Sequence, residues 1–211
     1  MAKDDQNTEQ KIITAASTVF QKKGLNGARM QDIAKEAGIN QALLHYYFRS
    51  KEKLFRQVFE EDLKRFMSPL AAVMSAPDMD LKSRINSIVE HYITHLMDQP
   101  NLPLFIMQEL TSNPDRLVSL VQNIKADREP GDRLIMQEFV DQINEGIRSG
   151  HYRAVDPVQF IVSIIAMCVF PFVSRPMLKA VFQLSDEQFR EFLHQRKQEV
   201  TNYAFSILQS S

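Results

Sequence analysis

Apolar residues recur along almost the whole chain at spacings of three and four, the period of an α-helix, and no segment shows a convincing two-residue alternation of a strand. Ile12, Ile13, Ala16, Val19 and Phe20 predict a first helix, with Asn7 and Gln10 as a capping signature at its start and Gly24 at its end. Met30, Ile33, Ala34 and Ala37 predict a second, which stops at Gly38 because glycine can take the positive φ of a helix terminus. After the short step Gly38-Ile39, Asn40 is placed to cap a third helix running to Phe48. Ser50 is placed to cap a fourth, whose Leu54, Phe55, Val58, Phe59 and Leu63 form an apolar stripe.

Beyond Pro69 the periodic segments lengthen, and helices are expected over 80–98, 102–110, 114–126, 131–149, 157–182 and 186–208. Segments carrying Pro or Gly, SAPD, QPNLP, EPGD and RSGHY, separate them. Pro171 should kink or break the 157–182 helix, because proline removes a helical hydrogen bond. Ser185 with Gln188 reads as the cap of the last helix. The expectation is an all-α fold in which a three-helix unit, residues 1–50, precedes a larger helical body, residues 51–211.

Composition changes this picture in two respects. The one cysteine, Cys168, cannot form an internal disulfide, and no N-terminal segment joins a basic start to an apolar run, so a cytoplasmic location is expected. The most apolar stretch, 160–173, falls short of the about 20 residues a membrane span needs. The net charge of −1 hides an asymmetry: residues 1–56 hold 10 Lys/Arg against 6 Asp/Glu, the remainder 15 against 20. A basic N-terminal quarter is the electrostatic profile of a segment that meets a polyanion.

The chemistry concentrates in GINQALLHYYFRSKEKL, residues 38–54. On a helical wheel Leu44 and Phe48 point one way, while Ala42, Leu43, His45 and Tyr46 point the other. A helix this short cannot be buried all round, and a tight glycine turn leads into it while Arg49, Lys51 and Lys53 follow it. That order suits a helix-turn-helix whose second helix enters the major groove of DNA. Together with the preceding GLNGARMQDIAKEAG, the run AGINQALLHYYFRSKEKLF closely resembles the DNA-binding domain of the TetR family of transcriptional regulators. The resemblance rests on the Ile33-Ala34 pair, the Ala37-Gly38 turn, the Leu44 to Phe48 cluster and the Ser50-Lys51 start of the next helix. It covers about 45 residues and implies that Gln31, Gln41, Ala42, Leu43 and Tyr46 lie at or near the bases, with His45, Tyr47 and Lys51 on the backbone. Ala28-Arg29 stands where the family often has Thr-Thr or Thr-Ser, so Arg29 is expected to supply by charge the phosphate contact of the missing hydroxyl. Asn40 and Ala42 replace the usual Ser and Gly.

For the body the resemblance implies a homodimer built on its two C-terminal helices and a small-molecule effector, apolar or amphipathic, that releases a repressor from its double-stranded operator DNA. Candidate effector residues are Tyr92, His95, Met107, Phe139, Met167 and Phe170, with Tyr92 and His95 as the orienting polar groups. His91 and His95 have a metal-compatible spacing but no third ligand, so no metal and no cofactor is expected. No phosphate loop, nucleophile elbow or carboxylate pair marks an enzyme. The competing reading is a helical protein-binding adaptor without DNA affinity, which leaves the outward Tyr/His face and its basic flank unexplained.

Overall fold

The computed structural model describes residues 2–76, 78–112 and 135–209, which form ten α-helices and no strand. They are α1 (Ala2–Gly27), α2 (Met30–Glu36), α3 (Gln41–Tyr47), α4 (Lys51–Met74), α5 (Leu81–Asp98), α6 (Leu102–Ser112), α7 (Ile135–Arg148), α8 (Pro157–Val173), α9 (Arg175–Val181) and α10 (Asp186–Leu208). The helix expected over 114–126, and the first residues of the one expected over 131–149, lie outside the described residues. By its internal contacts the chain forms two compact units, one from the described residues of Met1–Phe66 and Leu104–Leu120, the other from those of Met67–Pro103 and Val121–Ser211. The first boundary falls inside α4.

Side-chain caps start several of these helices. Asn40 Oδ1 accepts from the Leu43 N–H at 2.7 Å, Asp80 Oδ1 from Ser83 at 3.0 Å and Asp156 Oδ1 from Gln159 at 2.9 Å. Ser185 and Gln188 form the full reciprocal box: Gln188 N–H donates to Ser185 Oγ at 3.1 Å and Ser185 N–H to Gln188 Oε1 at 2.8 Å. Each such cap stabilises its helix by about 1 kcal/mol. Asn7 does not cap, because α1 already runs from Ala2, and Gly24 (φ 66°, ψ 176°) breaks the helix three residues before its end.

The break expected at Pro171 moves, and Pro69 causes none. Pro69 lies inside α4, which continues to Met74. Pro171 lies inside α8, and the chain turns instead at Ser174, with α8 and α9 inclined by 72°. Proline at 171 frees the carbonyl of Met167 four residues earlier. Arg196 on α10 takes that carbonyl, its Nε donating at 3.3 Å, so tertiary packing repairs the lost bond. Pro176 sits in the first turn of α9, where a missing N–H is tolerated. No single described helix is long and apolar enough to cross a membrane; α8 and α9 reach that length only together and across their bend.

In the first unit Ile12, Ala16 and Phe20 of α1, Ile33 of α2, Leu44 of α3 and Leu54, Phe55 and Phe59 of α4 are buried. Phe55 takes the edge of Phe20 at 5.0 Å and of Phe105, on α6, at 5.4 Å between ring centroids. α1 is pinned to α4 by the buried carboxylate of Asp62, which accepts from Ser17 Oγ at 2.6 Å and Gln21 Nε2 at 3.0 Å. In the second unit α5 packs on α8 and α10, and α7 on α8. Ile85, Ile93, Phe139, Ile164, Cys168 and Val200 are among its buried side chains.

Candidate nucleic-acid interface

The turn between α2 and α3 closes as a Schellman motif. Gly38, at φ +62°, donates its N–H to Lys35 O at 3.1 Å, and the Ile39 N–H donates to Ala34 O at 3.0 Å. One residue later Asn40 caps α3. Three consecutive residues thus end one helix and start the next without leaving terminal backbone groups idle, and this fixes the angle at which α3 leaves α2.

α3 divides sharply into two faces. Leu44 and its C-cap Phe48 are buried against the first unit, at 0% and 6% exposure. Gln41, Ala42, His45 and Tyr46 are exposed, and Tyr46 retains 77% of its surface. Leu43 and Tyr47 are half-buried, so they belong to the shoulder of the face. The Tyr46 and Tyr47 rings meet edge to face at 5.3 Å, and Gln41 Nε2 lies 3.5 Å from His45 Nε2. The exposed face therefore presents amide, imidazole and phenol groups, each able to donate or accept, flanking the small methyl of Ala42.

The cations are arranged around this face with different freedom. Arg29 and Gln31, at the start of α2, are exposed. Asp32 organises that start: it accepts from the Arg29 N–H at 3.3 Å and from Lys23 Nζ at 2.8 Å, and the lysine hydrogen bond holds its carboxyl below the ordinary range. Lys51 is not a simple outward cation, since its ammonium donates to the Ala28 carbonyl at 3.1 Å. It ties α4 to the loop before α2, and two of its donors remain. Arg49, Lys53 and Arg56, outside the expected set, are exposed. Asp32 and Lys23 were also missed, because a cap and an ion pair across nine residues carry no periodic signal.

The six candidate effector residues are divided between the two units. Tyr92 on α5 and Phe139 on α7 are buried, His95 and Met167 half-buried, all in the second unit. Burial pushes the Tyr92 phenol up to about 12, with the neighbouring Cys168 thiol adding to the shift. Burial likewise raises Cys168 to about 12 despite the opposing charge of Arg196, which makes it an inert apolar thiol at neutral pH. Phe170 does not point inward as expected. It is 54% exposed, because Val158, Val162, Ala166 and Phe170 step by four along the outer stripe of α8 while Ile161, Ile164 and Cys168 hold the inner one. Met107 is 50% exposed and falls in the first unit. That unit has a cleft of about 380 Å3, open mouth included, lined by Gly24, Asn26, Phe55, Phe105, Gln108 and Glu109 among others and by none of the six. Among the described residues no group of three or more His, Cys, Asp or Glu could hold a metal ion.

Comparison with known proteins places this geometry. Residues 12–58, spanning α1 to the first turns of α4, match the family model for bacterial regulatory proteins of the tetR family. The HTH-type transcriptional regulator RutR of Escherichia coli is 29% identical over 181 residues, 84% of this chain and 81% of that protein. The HTH-type transcriptional repressor NicS of Pseudomonas putida is 26% identical over 197 residues, 89% of this chain and 87% of that one. Among solved structures, a TetR transcription regulator from Haloarcula marismortui superposes with a TM-score of 0.65 at 20% identity, covering 97% of this chain and all of that one. A transcriptional regulator from Saccharomonospora viridis, in complex with choline, superposes with a TM-score of 0.69 at 18% identity, covering 98% and 100%. With the Schellman turn, the capped α3 and its exposed polar face within the matched segment, residues 12–58 form a helix-turn-helix domain of the tetR type, and most of the chain is similar to transcriptional regulators that carry it.

Proposed function

We propose that this regulator is a homodimeric repressor in which residues 1–50 bind operator DNA and residues 51–211 dimerise and receive a small apolar or amphipathic effector. The observation that carries the reading is the split character of α3: a seven-residue helix anchored by Leu44 and Phe48 that leaves Tyr46, His45 and Gln41 in solvent. Such a face reads base edges by hydrogen bonding, while Arg29, Arg49, Lys51 and Lys53 neutralise phosphates around it and the Tyr47 hydroxyl donates to one. Two copies present two such helices to half-sites one helical turn, roughly 34–36 Å, apart. The outer stripe Val158, Val162, Ala166 and Phe170 on α8, with Tyr203 on α10, offers a second copy an apolar surface. An effector acts by preferring the geometry in which the two recognition helices no longer fit both half-sites, since equal affinity for both states shifts nothing. Tyr92 and His95 are the polar groups offered to it, with Phe139 and Met167 as apolar wall. The Saccharomonospora viridis protein of the same fold, in complex with choline, supports a small-molecule effector.

Selection of duplexes from random-sequence DNA, followed by mobility shift, tests the reading. A recovered sequence with two-fold symmetric half-sites, bound with a salt dependence of several phosphate contacts, is expected. Absence of binding to any duplex would instead support the protein-binding adaptor.

A further inference from the structure

Ala28 and Arg29, the two residues between α1 and α2, have a partner for every backbone polar group. The Ala28 N–H donates to Gly24 O at 3.2 Å, and the Ala28 carbonyl accepts from the Lys51 ammonium at 3.1 Å. The Arg29 N–H donates to Asp32 Oδ2 at 3.3 Å, and the Arg29 carbonyl accepts from the Asp32 and Ile33 N–H groups at 3.0 and 3.3 Å. Asp32 Oδ2 also accepts from Lys23 Nζ on α1 at 2.8 Å, so one carboxylate oxygen joins the end of α1 to the start of α2. Ala28 is buried and Arg29 exposed, in an extended conformation at φ −118° and ψ 145°. All these residues belong to the first unit.

A carboxylate beside a group that meets a phosphate opposes binding by its charge, and Lys23 offsets that charge here. What the carboxylate supplies is an acceptor for the one amide that sets where the Arg29 side chain begins. A long side chain loses rotamer freedom when a contact pins it, and a fixed backbone origin lowers that loss. Resting on the regulator reading, in which Arg29 contacts a phosphate, we propose that Asp32 is a positioning residue: it holds the Arg29 amide so that the guanidinium leaves α2 toward the DNA, with Lys23 as its counter-charge. Neither Asp32 nor Lys23 touches the nucleic acid. The sign of the expected effect separates this role from plain electrostatics, because removing a negative charge then weakens binding to a polyanion.

The full-length protein and its Asp32→Asn, Asp32→Ala, Arg29→Ala and Asp32→Ala/Arg29→Ala variants are titrated with the selected duplex at several salt concentrations. Melting curves are recorded alongside. Asparagine keeps an oxygen for the Arg29 N–H and removes only the charge, so affinity should stay within about two-fold of wild type or tighten. Alanine removes both, and affinity should fall roughly five-fold, the equivalent of one net hydrogen bond. The salt dependence should flatten by about one phosphate in Asp32→Ala and Arg29→Ala alike, and the double variant should bind no more weakly than Arg29→Ala. Unchanged or tighter binding by Asp32→Ala overturns the assignment, as do additive losses in the double variant or equal losses with asparagine and alanine. So does loss of helical signal by Asp32→Ala at the assay temperature, which would make Asp32 a structural staple. If wild type selects no duplex, the regulator reading itself fails, and this is seen before any variant is made.

Discussion

Tyr46 and Phe48 lie two positions apart on one short helix and meet opposite environments, 77% against 6% exposure. Tyr46→Ala should therefore shift stability by no more than about 0.5 kcal/mol while operator affinity falls substantially. Phe48→Ala should cost about 3–5 kcal/mol and lose DNA binding only as a consequence of loosening. Thermal melts and mobility shifts on the two variants decide the matter; comparable destabilisation would place both rings in the core. Lys51 carries a different expectation, because its ammonium already caps the Ala28 carbonyl. Lys51→Ala should lower the melting temperature slightly, by the about 1 kcal/mol of a net hydrogen bond, and also flatten the salt dependence of binding by about one phosphate. Lys53 is exposed, so Lys53→Ala should flatten the salt dependence alone; an unchanged slope in both removes this end of α4 from the interface.

At the scale of elements, helix ends decide where the chain turns, and two of them make opposite predictions. α9 ends with Gln183 in the left-handed region at φ 55°, Leu184 N–H reaching back to Lys179 O at 3.0 Å. A non-glycine residue there is strained, so Gln183→Gly should stabilise by about 0.5–1 kcal/mol once glycine's extra unfolded-state entropy is subtracted. Gly146, inside α7, has ordinary helical φ but lies against the Tyr152 ring, which any Cβ would overlap. Gly146→Ala should raise helix propensity and yet destabilise, by about 1–3 kcal/mol, through overpacking. Chemical denaturation of the two variants checks both signs, and a stabilising Gly146→Ala would show that Tyr152 yields freely.

For the molecule as a whole, the outer stripe of α8 is the surface that monomeric folding leaves unexplained. Val162→Glu with Phe170→Glu should leave the helical signal and melting of the protomer near wild type, shift the mass in light scattering from dimer to monomer, and abolish the advantage of two half-sites over one. A dimer that persists in this variant would move the interface elsewhere. The half-site advantage should vanish with the dimer because neither copy alone spans both sites.

Periodicity alone determined that the chain is helical and where most helices lie, and spacing marked the caps Asn40 and Ser185, because amphipathic spacing and capping are local and act within one or two turns. It also exposed the two faces of α3, since Leu44 and Phe48 are separated by a single turn. Tertiary structure decided what depends on distant partners. Pro171 reads as a break until Arg196, 25 residues further on, supplies the missing donor to Met167. Phe170 reads as a pocket residue until the packing of α5 against α8 settles which stripe is inward. Nothing in the spacing marks Arg84, and only the fold brings five acceptors to it from two other segments. Local order is written in spacing because it depends on neighbours along the chain; the partners of a proline gap, an inner stripe or a buried charge are chosen in space, where sequence separation carries no information.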